Sequence, residues 1–182
     1  MTMSADLHGA VRIARIAAEF DWTWTRRDVR RLCEVTGWRE VSRSDLLVSL
    51  ETDLDVPEPV SYVFTGLHRV PALRKAGQDI EFISAYVATS PVGAQPPADA
   101  EVAEHYSRVR DSLAAGLGSP TWHTSGLEIE TAWELPQVVI SLTPLTGAVN
   151  LVFNGPLYQR WLDQLRDDQD EEDQNGWDED DE

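Results

Sequence analysis

The segments able to form strands arrive in two groups, and that grouping constrains the fold more than any other feature of the chain. DLLVSLETDL (45–54), PVSYVFTGL (59–67) and DIEFISAYVATS (79–90) are rich in β-branched and aromatic residues and are separated by the Pro and Gly clusters DVPEP and KAGQD. LEIETAW (127–133), QVVISL (137–142) and AVNLVF (148–153) follow much later, joined by the turn signals ELPQ and TPLTG. Strands grouped in meanders predict antiparallel sheets and an α+β fold, in preference to a doubly wound parallel sheet.

Helical periodicity fills the spaces around these groups. Ile13, Ile16, Ala17 and Phe20 make one apolar face over residues 10–20. The segment then runs into DWTWT, where tryptophans alternate with polar residues as in a short extended connection. In a second helix, Thr25 and Asp28 form a variant of the capping box and Gly37 supplies a left-handed stop. Its buried stripe is predicted to be Val29, Leu32, Cys33 and Thr36. Beyond the Pro-rich connector SPVGAQPPAD (90–99), Asp99 is expected to cap a helix carrying Val102, Tyr106, Val109, Leu113 and Leu117 on one side, ended by Gly116 and Gly118. Pro156 suits the first position of a closing helix with Tyr158, Trp161, Leu162 and Leu165 on its apolar face.

The resulting order is α, α, βββ, α, βββ, α. A helix ending in Gly, a nearby Trp and three strands occur at CEVTGW and again at LAAGLGSPTW, the pattern of two α-βββ halves. The expected architecture is antiparallel sheet flanked by helices, with an N-terminal helix, a closing C-terminal helix and a disordered acidic tail.

Charge sets the boundary of that tail. The chain of 182 residues carries a formal net charge of -17, yet residues 167–182 hold 11 of its 32 acidic residues and no Lys or Arg. The first 166 residues are therefore only mildly acidic, with 21 acids against 15 bases. We expect one domain over 1–166 and a solvating tail over 167–182. Cys33 is the only cysteine, which excludes an internal disulfide, and Arg12 and Arg15 interrupt the only apolar run near the N-terminus. A cytoplasmic protein, a monomer or homodimer with no membrane association, is the expectation.

Three stretches, FDWTWTRRDVRRLCEVTGWRE (20–40), LGSPTWHTSGLEIETAWEL (117–135) and VNLVFNGPLYQRWL (149–162), fix a further comparison. A W-x-W before a helix ending in GW, an LG-x-PT segment before a Trp-bearing strand, and a late strand leading into a closing helix resemble the ordered landmarks of an actinobacterial family, family 6301 of the domains of unknown function. The resemblance covers about residues 10–162. It implies no catalytic residues, and it implies a setting near secreted toxins and WXG-type secretion substrates, hence immunity or chaperone roles.

Residues that carry chemistry are sparse. His8, His68, His105 and His123 lack zinc-site spacing, and no phosphate-binding glycine motif occurs. EEDQNGWDEDDE (171–182 with Glu171 first) mimics a calcium loop, but Glu stands at its first position and Asp178 replaces an apolar residue. Neither a metal nor a cofactor is expected. Arg26, Arg27, Arg30 and Arg31 crowd one helix like a nucleic-acid reader, yet a net negative body repels phosphate, so nucleic acid is not the expected partner. These arginines are read as a solvated helix face. With Trp22, Trp24 and Trp177, which lie in connections or the tail, they are the candidate partner-binding residues; Trp133 and Trp161 read as core. The expected role is a non-enzymatic module that binds a protein, either a basic toxin domain that it neutralises or an export substrate that it chaperones.

Overall fold

A computed structural model describes residues 2–65, 70–124 and 129–175, with side chains through residue 168. Its elements are β1 (Ser4–Ala5), α1 (Leu7–Glu19), α2 (Arg27–Thr36), β2 (Arg39–Arg43), β3 (Leu47–Glu51), β4 (Val60–Thr65), α3 (Pro71–Lys75), β5 (Ile80–Thr89), α4 (Asp99–Leu117), β6 (Trp122–Thr124), β7 (Glu130–Glu134), β8 (Val139–Leu145), β9 (Ala148–Asn154) and α5 (Pro156–Asn175). The fold is α+β, with helices at both ends of the chain order and strands that pair antiparallel throughout.

The two meanders form one sheet. Its order is β2-β3-β4-β5-β9-β8-β7-β6, with β1 added along β5. Each half contributes four strands where three are expected, because β2 and β6 extend the outer edges. The seam is the antiparallel pair β5–β9, in register from Phe82 opposite Asn154 to Thr89 opposite Ala148. Strand order reads the same outward from that seam in both directions, so the halves are related by an approximate two-fold axis through the sheet.

Period-two alternation divides the sheet into two unlike faces. Val48, Leu50, Val63, Ile83, Ala85, Leu151, Phe153, Ile140 and Leu142 are buried on the first face, beneath α1, α2 and α4. Asp6 caps α1 by accepting from the Gly9 amide at 2.7 Å. Gly116 lies inside α4 rather than ending it, where a Cβ would come within 2.6 Å of Val11 on α1; the missing side chain lets the two helices pack closely. Gly118, at φ 96°, is the stop. Asp99 does not cap α4: Ala98 holds that position without a side-chain bond, and Asp99 and Glu101 instead place negative charge in the first turn, where the helix dipole favours it.

On the second face, α3 and α5 cover one part of the sheet. Phe64, Phe82, Tyr158 and Trp161 follow one another at ring separations of 4.3, 5.7 and 5.5 Å. Asn154 donates to Gln159 at 2.7 Å and Gln159 to Asp163 at 2.8 Å, while Arg166 reaches Glu130 at 2.9 Å and lies over the Trp122 ring. The helix thus crosses from the β5–β9 seam of the sheet to its β6 edge. It does not stop at residue 166: the backbone stays helical to Asn175, so residues 167–175 of the expected tail continue α5. Residues 176–182, with Trp177 and most of the calcium-loop match, lie outside the described residues, as do His68 and the ends of the expected strands at Gly66–Leu67 and Leu127–Glu128.

Candidate binding face

Of the residues singled out in the sequence, Trp22 and Trp24 are buried, while Arg27 and Arg30 are exposed. Trp22 and Trp24 are 8% and 2% exposed, their rings stacked at 4.5 Å with Phe20 beyond them. Trp22 Nε1 donates to the Ala17 carbonyl and Trp24 Nε1 to the Gln137 carbonyl. Both therefore belong to the core, which corrects the expectation that they stand exposed in a connection. Trp24 holds a left-handed backbone at φ 56°, a conformation that costs about 1 kcal/mol or more in a non-glycine residue. Three bonds hold it there: its carbonyl accepts from the Asp79 and Ile80 amides, and its amide donates to Asp28.

Asp28 is the centre of this connection. Its carboxylate is fully buried and accepts from the Thr23 and Trp24 amides at 2.8 and 2.7 Å, from Thr23 Oγ1 at 3.0 Å and from Arg31 at 2.7 Å. The capping-box acid thus reaches back, but onto Thr23 and Trp24 instead of Thr25. Arg31 also donates to the Asp21 carbonyl and lies 4.7 Å above the Phe20 ring. Arg26 is tied to Asp79 through its amide and guanidinium, and Arg30 pairs with Glu34 on the helix surface. Arg27 remains exposed with no ion pair among the described residues. The density of arginine is thus largely matched by acids of the same chain, and Arg26 and Arg31 serve the fold. Cys33 is half-buried, and burial pushes its thiol pKa up, which opposes nucleophilic use.

An unclaimed surface lies on the second sheet face, beyond the reach of α5. Leu47 and Ser49 of β3, Val60 and Tyr62 of β4, Tyr86 of β5 and Val152 of β9 all point to this side and are only half-buried. Their outward direction follows from register, since Ser49 lies opposite Tyr62, Tyr62 opposite Ser84, and Ser84 opposite Val152. Tyr62 and Tyr86 meet edge to face at 6.1 Å. Beside them a shallow groove of about 440 Å³ runs between Tyr62, Ser49 and the edge strand β2. Glu51 lines it, paired with Arg39, and Glu58 lies near Tyr86. Burial, with the neighbouring Tyr62 and Glu58, pushes the Tyr86 pKa up and keeps its hydroxyl a donor. The sequence places these residues in strands but carries no signal for which of them α5 leaves open.

Among the described residues, no helix is long and apolar enough to cross a membrane, and no group of three or more His, Cys, Asp or Glu side chains is gathered as for a metal ion. No curated protein and no solved structure matches the chain. A family model does match, over residues 8–155, which is well over half of the chain and contains both sheet halves. The protein belongs to a family of unknown function, DUF6301.

Proposed function

We propose that the chain is a non-catalytic protein-binding module, acting in the cytoplasm as an immunity protein that neutralises a basic toxin domain. The observation that carries this reading is the open aromatic half of the sheet. Tyr62 and Tyr86 are rigid amphipathic side chains flanked by small polar and branched apolar ones, the composition from which binding anchors are made. The net charge of -17 supplies long-range attraction for a cationic partner and speeds encounter.

The test is affinity capture from the host's extract with the full-length chain, in parallel with a Tyr62→Ser/Tyr86→Ser variant. The expected result is one small basic protein retained at low and moderate salt by the wild type and lost by the variant, whose toxicity on expression is suppressed when this chain is co-expressed. Capture that the double substitution leaves unchanged would overturn the assignment of the face. Retention of WXG-type helical substrates without any suppression of toxicity would replace immunity with the chaperone role.

A further inference from the structure

A cavity larger than the groove beside Tyr62 lies on the other side of the sheet from this face and belongs to no role described so far. It holds about 620 Å³ between α4, the edge strand β6, Ile129 just ahead of β7, and the β8–β9 turn. That size is within the range of pockets for small organic ligands. One stripe of α4 forms its long wall, beginning at Asp99, passing Val102, Ala103 and Tyr106, and ending at Arg110. At 1.5 Å per residue the acidic and basic ends are roughly 16 Å apart. Ile129 and Leu145, 38% and 40% exposed, form the opposite wall, so the middle is apolar.

The basic end is organised by a hydrogen-bonded chain. Tyr106 Oη is 2.6 Å from Thr131 Oγ1, and Thr131 Oγ1 is 2.8 Å from His123 Nδ1. Thr131 is fully buried and Tyr106 is nearly so. A threonine hydroxyl has one proton to give. If His123 donated from Nδ1, either Thr131 would donate to Tyr106 and leave the buried tyrosine proton without an acceptor, or it would accept from both neighbours and leave its own buried proton without one, and either is costly. The opposite direction satisfies every group: Tyr106 donates to Thr131, Thr131 donates to Nδ1, and His123 carries its proton on Nε2. The Nε2 N–H of His123, a residue of the lining, is thereby left for a ligand. Arg110 lines the cavity and gives its Nε and one Nη2 proton to Asp111, and its Nη1 makes no hydrogen bond among the described residues.

We infer that this cavity binds a small amphipathic carboxylate, with its carboxylate between Arg110 and His123 and its apolar body against Val102, Ala103 and Ile129. Asp99 at the far end sets the orientation by repelling the carboxylate. The inference is independent of the protein-binding reading, because the two sites occupy opposite faces of the sheet.

Decanoate and its neutral counterpart decanol are the probes, titrated calorimetrically into the full-length protein. Decanoate is expected to bind saturably at one site, with decanol weaker by about tenfold or more, the effect of a charge-assisted hydrogen bond. Arg110→Gln should bring decanoate down to the decanol level while the thermal melt without ligand stays unchanged. Absence of saturable decanoate binding, equal affinity for decanol in the wild type, or a folded R110Q variant that binds decanoate as well as the wild type would each overturn the assignment.

Discussion

At the scale of single residues, one buried carboxylate decides the geometry of the whole N-terminal connection. Asp28 holds two amides, a hydroxyl and a guanidinium, and the two amides have no other partner among the described residues. Asp28→Asn keeps the shape but replaces an acceptor by a donor, so it is expected to lower unfolding free energy by about 2–4 kcal/mol in urea titration. Arg31→Ala should cost less than about 1 kcal/mol, since Arg31 is partly exposed. Tyr158 sets a limit on the alkaline side. Burial, aided by the negative charge of Glu81, pushes its pKa from 10.0 up to about 12. The unfolded chain releases this proton first as pH rises. Stability contributed by neutral Tyr158 is therefore intact below pH 10 and lost between pH 10 and about 12, amounting to about 2–3 kcal/mol. Thermal melts across that range should show a steeper decline for wild type than for Tyr158→Phe. Parallel declines would mean that Tyr158 is not the titrating group.

At the scale of elements, burial at junctions depends on contacts far along the chain. Gly155 lies between β9 and α5, and a Cβ there would fall 2.9 Å from the Trp24 indole. The ring cannot retreat easily, because Trp22 stacks on it and Nε1 is bonded to Gln137. Gly155→Ala should therefore destabilise by about 1–3 kcal/mol, the range for overpacking a filled core, and a melt unchanged by the substitution would show that the ring can shift. The same contact explains why W-x-W reads as an exposed connection. Alternation is a local signal, whereas the surfaces that cover Trp22 and Trp24 come from Gln137 and Gly155. Elements with a strong apolar period were legible: α1, α2, α4, α5 and the six inner strands. REVSR in β2 was not, because all five residues are exposed and the strand exists through its backbone pairing with β3. The candidate face was half legible, for a related reason. Tyr62 and Phe64 occupy equivalent places in one strand, and nothing local tells that Phe64 continues through Phe82 to Tyr158 of α5 while Tyr62 meets Tyr86.

At the scale of the whole molecule, stability should be graded from the seam outward. β5 and β9 each have partners on both sides and lie against the helices of the first face, while β2 and β6 have a neighbour on one side only. Hydrogen exchange is expected to be slowest in β5, β9 and β8 and fastest in β2 and β6. Amides of β2 as well protected as those of β5 would indicate that the outer edge is covered in solution. The helix α5 also bears on the balance of charge. It leaves the sheet at the β6 edge, whereas α2 is anchored beside Asp45 and Asp79 at the other end. From β3 to β7 is roughly 24 Å at the usual strand spacing, so the acidic C-terminal residues and the arginines of α2 depart from opposite ends of the same sheet.

The mirrored strand order has one more consequence. Two separate subunits joined along a central strand pair would fall apart on dilution, by mass action. Here the connector at residues 90–98 makes that union unimolecular, so the nine-stranded sheet persists at any concentration. Cutting the connector would restore a bimolecular equilibrium, and the two fragments would then meet along β5 and β9 as a heterodimer with a measurable dissociation constant.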